Sequence, residues 1–268
     1  MTRRSEAPVG WFLHNVRMQD VNQALIDQQA ELAGYVADAD VEALTRPSRC
    51  EGWTVADVLL HLAQTNEMAV ASVEGRLEEL VAREAAGLTA VGPSIDDWAA
   101  AMVDLQRTDP ASMRDRWIAS ADAQAAAFVG CAPDARVLWV AGELAARSLA
   151  STRLTETWIH TVDVAMAFGG PPPPTERLWH TARLTWRTVP YALGQGGVAQ
   201  AGDVAFELEA PDGSTWTFGD PTTATTVVTG SALDLCSVAG QRGSAAGTSL
   251  AGTGPDADAV LRLMRTFA

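Results

Sequence analysis

The spacing of apolar residues over roughly the first 168 positions predicts a series of long helices. One helix is expected over residues 18–37, because apolar side chains recur there at intervals of three to four. A second is expected to begin after Thr54, which with Asp57 forms a capping-box pattern, and to run towards Leu80. Further helices are predicted at 95–105, 113–128 and 143–168. Long helices joined by modest loops indicate a four-helix bundle.

The pattern changes after residue 168. Two glycines and four prolines at 169–174 end the last helix, and one more helix is predicted at 175–193. Alternating apolar residues at 204–208 and 216–218 flank a Pro-Asp-Gly turn, which is typical of a β-hairpin. Further strands near 225–229 and 249–253 and helices at 231–239 and after Pro255 complete a small α+β unit. The chain is therefore predicted to be mainly α, with a helical bundle at 1–170 and an α+β domain at 171–268.

Composition narrows the range of partners. The chain has 33 acidic and 19 basic residues and a net charge of -14, so we expect neither nucleic acid nor a membrane surface as a partner. The only dense basic site in the sequence is Arg3-Arg4. The cysteines Cys50, Cys131 and Cys236 form no CxxC pair, and no apolar run resembles a signal peptide or membrane span. These features favour a cytoplasmic protein.

Ionisable residues recur along one stripe of the last predicted bundle helix. Arg153, Glu156, His160 and Asp163 are separated by three, four and three residues, so their side chains share one helix face. Unpaired charge inside a bundle costs several kcal/mol, and metal coordination is one way to offset that cost. A Glu and a His four residues apart can direct two ligands at one ion.

A third ligand would have to come from another helix. His61 is the candidate, since it lies on the predicted inward face of the second helix. Two histidines and one glutamate leave a fourth position open, which is typical of a catalytic zinc site. The alternatives are a solvated helix face for Glu156 and His160, and a hydrogen-bonded core histidine for His61.

Several segments resemble the mycothiol-dependent maleylpyruvate isomerase family, which is part of the DinB-like metal-binding superfamily. The first is SRCEGWTVADV at residues 48–58, followed by His61 and Leu62. Further matches lie, in the same order along the chain, at 146–150, 153–160, 220, 229–236, 241–242 and 253–258. The resemblance therefore extends over nearly the whole chain.

The resemblance implies a DinB-like four-helix bundle that binds one divalent metal, expected to be zinc, through His61, Glu156 and His160. It also implies a C-terminal α+β domain over the metal and a low-molecular-weight thiol, mycothiol, as a cofactor on the ion. The metal would lower the pKa of the thiol and supply a thiolate nucleophile. The expected activity is isomerisation or S-transfer on a small-molecule electrophile. The alternatives are a thiol-independent isomerase or cyclase of secondary metabolism in the same bundle cavity, and a non-catalytic binding protein.

Two further residues are candidates for catalytic roles. Asp163 could orient a histidine ligand, or it could form an ordinary surface salt bridge. Arg242 could bind the carboxylate of a substrate or of the thiol cofactor, or it could be a solvated loop residue. Arg153 is expected to pair with Glu156. After the second histidine the family commonly has Gly-Gln-Asp, whereas this chain has Thr-Val-Asp at 161–163. These positions are expected to face substrate or cofactor, so the resemblance bears more directly on the metal site than on the reaction.

The remaining cysteines and histidines are expected to have no chemical role. Cys50, Cys131 and Cys236 are interpreted as buried, inert thiols, so the chain is expected to lack an internal nucleophile near the metal. His14 and His180 have no partners at useful spacing and are expected to be structural or exposed.

Overall fold

The computed structural model describes residues 20–88, 91–92, 94–140 and 142–266. Arg3, Arg4, His14 and the predicted start of the first helix lie outside the described residues. Within them, no helix combines the length and the hydropathy that crossing a bilayer requires.

Four long helices pack together as the predicted bundle, and three shorter helices accompany them. The long helices are α1 (Val21–Val36), α3 (Val55–Val73), α6 (Pro110–Val129) and α7 (Ala146–Ala165), and the shorter ones are α2 (Val41–Leu44), α4 (Leu77–Ala85) and α5 (Ile95–Gln106). Helix α1 packs mainly on α7, and α3 packs mainly on α6. The apolar stripe of α1 is fully buried at Leu32 and Val36. The prediction of a mainly α fold with a bundle at its N-terminal end is confirmed.

The start of α3 follows the predicted capping box. The Thr54 side chain accepts a hydrogen bond from the Asp57 amide, and the Asp57 carboxylate accepts one from the Thr54 amide. The predicted end of this helix is wrong, because α3 stops at Val73 and Leu80 belongs to α4. Gly75 adopts a positive φ of 72° between the two helices. A glycine takes this conformation without strain, and the chain changes direction there.

The start of α7 also differs from the prediction. Residues 143–145 form part of a two-stranded antiparallel hairpin, β1 (Arg136–Trp139) and β2 (Gly142–Ala145), and α7 begins only at Ala146. The predicted end is correct, since a short 3-10 turn at Met166–Phe168 leads to Gly169 with a φ of 111°.

The C-terminal part has the predicted α+β character. It contains α8 (Leu178–Gln195), β3 (Val204–Glu209), β4 (Thr215–Phe218), β5 (Thr226–Ser231), α9 (Ala232–Ala239), β6 (Ala251–Thr253) and α10 (Ala257–Leu263). The four strands form one sheet in the order β4-β3-β5-β6. Strands β3 and β5 are parallel, whereas the hairpin β3–β4 and the pair β5–β6 are antiparallel.

Helix α7 contributes to both halves of the molecule. Its Leu149 and Leu154 are buried in the bundle core, whereas Trp158 and Ile159 are buried against Leu178 and other side chains of the C-terminal part. The stripe that carries Glu156, His160 and Asp163 therefore lies on the helix that both halves share. The division into domains at residues 170 and 171 stays a prediction.

Candidate metal centre

Helices α3 and α7 bring His61, Glu156 and His160 together. The Oε1 atom of Glu156 lies 3.2 Å from Nε2 of His61 and 3.3 Å from Nε2 of His160. One ligand atom from each of the three residues lies within 4.8 Å of the other two. The two imidazole rings meet edge to face, with their centroids 5.0 Å apart. His61 and Glu156, which are 95 positions apart in sequence, thus converge on one point with His160.

The spacing of these atoms fits a zinc ion. With zinc–ligand bonds of about 2.0–2.1 Å, neighbouring ligands of a tetrahedron lie about 3.3–3.4 Å apart. The two measured separations to Glu156 are close to that value. Two imidazole nitrogens and one carboxylate are also a common donor set for zinc. The histidine side chains are 10% and 8% exposed and that of Glu156 is 27% exposed, so solvent reaches the group from the glutamate side.

The electrostatics of the group suit a cation. Burial opposes ionisation of Glu156, but hydrogen bonds with His160 and His61 hold the pKa of its carboxyl well below the ordinary value. Burial also lowers the pKa of His61, and the neighbouring charge of His160 acts in the same direction. At neutral pH Glu156 is therefore an ionised carboxylate and His61 a neutral imidazole, which are the forms that bind metals.

The second histidine is held from behind by Asp163. The Nδ1 atom of His160 lies 3.0 Å from Oδ2 of Asp163. Burial alone would lower the pKa of His160, but hydrogen bonds with Asp163, Cys50 and Glu156 raise it well above its ordinary value. A proton held on Nδ1 directs Nε2 towards Glu156, and metal-binding histidines commonly have a carboxylate partner of this kind.

Asp163 is in turn paired with Arg242 of the loop after α9. The Arg242 guanidinium donates from Nε to Oδ1 at 2.7 Å and from Nη2 to Oδ2 at 2.5 Å, which is a bidentate geometry. Asp163 is fully buried, and although burial opposes its ionisation, Arg242 and His160 lower its pKa. Two of the alternatives that the sequence left open are thus removed: Asp163 is not in a surface salt bridge, and Arg242 is not a solvated loop residue. Binding of a substrate or cofactor carboxylate by Arg242 stays a prediction.

Cys50 lies in the same group, contrary to the prediction that no cysteine is near the site. Its Sγ atom lies 3.2 Å from Oδ2 of Asp163 and 3.7 Å from Nδ1 of His160. These three residues form a second set of atoms that could hold an ion. That set fits less well, because the Asp163 carboxylate is already occupied by Arg242. Cys50 lies in a loop shortly before α3. Helical spacing along the sequence therefore could not reveal that it reaches the centre.

The other cysteines lie elsewhere. Cys236 is buried, and burial raises the pKa of its thiol, so it is inert as predicted. Cys131, on a loop after α6, is half-buried, as is Cys50, which corrects the prediction that both are buried.

Arg153 is buried close to the centre but does not form the close ion pair predicted with Glu156. Its Nη2 donates to Oγ1 of Thr65 on α3 at 2.7 Å, and its Nε has no hydrogen-bond partner among the described residues. Burial lowers the pKa of Arg153, and the negative charge of Glu156 acts against that effect. The Arg153 cation thus offsets part of the carboxylate charge without a direct contact.

Comparison with known proteins gives consistent results. The family model for the mycothiol maleylpyruvate isomerase N-terminal domain matches residues 25–165, a range that contains all three residues of the candidate centre. Uncharacterized proteins from two strains of Mycobacterium tuberculosis are each 31% identical to this chain over 257 residues. The alignment covers 94% of this chain and 97% of each relative.

Two solved structures share the fold. A crystal structure of the mycothiol-dependent maleylpyruvate isomerase aligns with a TM-score of 0.58 and 17% identity. A crystal structure of a histidine-to-alanine mutant of that enzyme aligns with a TM-score of 0.57 and 18% identity. Both alignments cover 91% of this chain and 97% of the other, so the likeness includes the bundle and the C-terminal part.

Proposed function

The chain belongs to the mycothiol maleylpyruvate isomerase family, and from this premise we propose that it is a metal-dependent isomerase or thiol transferase acting on a small-molecule electrophile. The observation that carries the proposal is the convergence of His61, Glu156 and His160 at separations that suit a tetrahedral ion. The family supports the enzymatic class, and the geometry of the centre supports the metal.

In this proposal the three residues hold one zinc ion. Bound there, zinc would lower the pKa of a thiol or water at its open position. The exposed side of Glu156 gives such a ligand a way in. Asp163, a carboxylate near the triad, is already paired with Arg242, which makes hydrolysis by a general base the weaker alternative.

Asp163 and Arg242 act through His160. Asp163 keeps the His160 proton on Nδ1, and Arg242 fixes both carboxylate oxygens of Asp163. The bidentate pair also ties the loop after α9 to α7, so the C-terminal part helps to set the orientation of a metal ligand. We therefore assign both residues a positioning role. Bidentate binding of a substrate or cofactor carboxylate by Arg242 would require its guanidinium to leave Asp163.

The cofactor is proposed to be mycothiol or another low-molecular-weight thiol. In this thiol-dependent proposal Cys50 does not bind the metal in place of the external thiol, because its sulfur contacts Nδ1 of His160, whereas Nε2 is the atom that faces Glu156 and the proposed metal. The three free cysteines agree with a reducing compartment, so the proposal includes a cytoplasmic location.

A second candidate function is a thiol-independent isomerase or cyclase that uses the same cavity. The observation that favours it is again Cys50, which places a protein thiol in contact with His160, Asp163 and Arg242. In that case no external thiol would be needed.

The two candidates are separated by turnover of maleylpyruvate and related activated alkenes by zinc-loaded protein, with and without mycothiol. Glutathione serves as a second thiol, and Glu156→Gln serves as a variant impaired in metal binding. We expect conversion that depends on thiol and is lost in Glu156→Gln. Full conversion in rigorously thiol-free buffer would reject the thiol mechanism, and full conversion by metal-free protein would reject the role of the metal.

A further inference from the structure

A second group of charged side chains lies at the other end of α7, around a cavity of about 250 Å³. We call it the basic cavity, and it is lined by Arg147, Ser148, Ser151, His180, Arg183 and Arg187 among others. The arginines come from the first turn of α7 and from two positions four residues apart on α8. The sequence, with its net charge of -14, gave no sign of this cluster, because the fold brings two helices together to form it.

The positive charge of the basic cavity is only partly neutralised. Burial lowers the pKa of Arg183, and repulsion by Arg187 and Arg147 lowers it further. Arg147 has a carboxylate partner, Asp134, but that pair is exposed to solvent. In the part of the chain that the structure describes, no carboxylate lies within ion-pair distance of Arg183 or Arg187. A cluster of guanidinium groups of this kind is more stable with an anion among them.

His180 is a further polar side chain at the cavity, and it has no hydrogen-bond partner among the described residues. It is only 8% exposed, and it lines the cavity. Burial and the charge of Arg183 lower the pKa of His180 to about 4, and the charge of Asp20 raises it by a smaller amount. The imidazole is therefore neutral at pH 7 and has an N–H to donate. Because the ring nitrogens are not sealed off from solvent, they can bond to a ligand in the cavity.

The N-terminal end of α7 adds to the positive potential. No side chain caps this 20-residue helix, and Ser148 of its first turn lines the cavity. The helix dipole places a partial positive charge at this end, although the amides of Ala146 and Arg147 already donate to backbone carbonyls of the preceding loop.

We propose that the basic cavity binds a small, multiply charged oxyanion, either inorganic phosphate or a phosphate monoester. Three guanidinium groups, one neutral imidazole and the Ser148 hydroxyl can surround the oxygens of a tetrahedral anion, whereas the Ser151 hydroxyl already donates to the Arg147 carbonyl. The volume of the cavity is below the range of about 300–1,000 Å³ that is usual for drug-sized ligands, so the cavity suits a small ligand. From Arg147 to Glu156 the rise along α7 is about 13 Å, so this site is separate from the metal centre.

The test is calorimetric titration of zinc-loaded protein with inorganic phosphate and, separately, with glycerol 3-phosphate, at constant ionic strength. We expect saturable binding of at least one of them. Arg183→Gln and Arg187→Gln should each weaken it about tenfold, the effect of losing one charge-assisted hydrogen bond. Arg262→Gln, an exposed arginine on α10, changes the net charge equally and should bind as the wild type does.

The variants also distinguish binding in the basic cavity from binding at the metal. Arg183 lies over the ring of Trp179, so its replacement could disturb packing, whereas Arg187 is exposed and its variant should keep the fold. Phosphate bound to the zinc ion would survive Arg187→Gln and be lost in Glu156→Gln, an outcome that would overturn the proposal. Equal binding by wild type and both cavity variants would overturn it, and so would no binding of either probe. Tighter binding of glycerol 3-phosphate would identify an organic phosphate as the ligand. Tighter binding of inorganic phosphate would identify the free ion.

Discussion

The Nδ1 atom of His160 and the Oδ2 atom of Asp163 lie 3.0 Å apart, one turn from each other on α7. Because an ionised carboxylate can only accept, this contact keeps a proton on Nδ1 and leaves Nε2 as the metal-binding nitrogen. The stripe of ionisable residues on α7 thus contains both a proposed ligand and the residue that orients it.

Loss of one proposed ligand should remove most of the bound metal. We expect about one zinc ion per wild-type chain and only a small fraction in His61→Ala, Glu156→Gln and His160→Ala, because two ligands rarely hold zinc tightly. Elemental analysis after loading and desalting measures this directly. Glu209→Gln, on the exposed face of β3, is the matched control and should keep the full content. A wild-type protein without metal after careful loading would contradict the assignment.

Weakening the Arg242–Asp163 pair should lower zinc affinity without removing a ligand. We expect Asp163→Asn and Arg242→Gln to raise the Kd for zinc by about 10- to 100-fold, the usual effect of losing a partner of a metal-binding histidine. Competition with a chromophoric chelator gives the Kd. Arg242→Lys should recover part of the loss, since one charged donor remains. If Arg242→Gln bound zinc normally but had a raised KM, Arg242 would bind a carboxylate of the substrate or the thiol instead.

Much of the fold was predictable from local patterns. The capping box at Thr54 and the turn at 211–213 are signals within a few residues, and both are confirmed. The hairpin β1–β2 was missed because its strands are four residues long and only half of β1 is buried. The break between α3 and α4 depends on Gly75, and a single glycine inside an apolar pattern does not by itself indicate a turn.

Part of the candidate site was likewise predictable from the sequence, and part was not. Helical spacing brought Glu156, His160 and Asp163 onto one face and placed His61 on the inward face of the second helix, and the family resemblance implied the same three ligands. Spacing could not show that Arg242, 79 residues from Asp163, and Cys50, 110 residues from His160, reach the same point. Both lie on loops, whose side chains are positioned by tertiary contacts and not by a period in the sequence.

Zinc binding should release protons. Hydrogen bonds with Asp163, Cys50 and Glu156 outweigh burial and raise the pKa of His160. The metal-free protein therefore holds a proton on Nε2 of His160, and zinc must displace it. Zinc affinity is therefore expected to fall as the pH is lowered through that pKa. Titration calorimetry in buffers of different ionisation enthalpy counts the protons. Asp163→Asn should release fewer at neutral pH, and equal release by both proteins would contradict this account of His160.

The stability of the metal-free protein should respond to pH in the opposite sense. A raised pKa in the folded state contributes stability that is fully present below the unfolded value of about 6.5 and is lost as the pH rises through the folded value. Thermal unfolding of metal-free protein should therefore show a lower Tm above that pH, and the loss should be smaller in Asp163→Asn. A Tm that does not fall over this range would show that His160 is not protonated in the folded state.

Replacement of Cys50 separates a structural thiol from a reactive one. The sulfur contacts Asp163, Nδ1 of His160 and Arg242, all on the side of His160 that faces away from Glu156. If the proposed metal carries the reactive thiol, Cys50 has no place in the reaction, and Cys50→Ala should keep the full zinc content and most of the thiol-dependent rate. Its main effect should be a modest loss of stability, about 1 kcal/mol, from the lost contacts.

Cys131→Ala, at a half-buried cysteine away from the centre, is the matched control. Zinc content, Tm and the dependence of rate on mycothiol concentration would be measured for all three proteins. A Cys50→Ala protein that keeps its metal but loses turnover would make Cys50 the nucleophile, and would favour the thiol-independent function over the one proposed here.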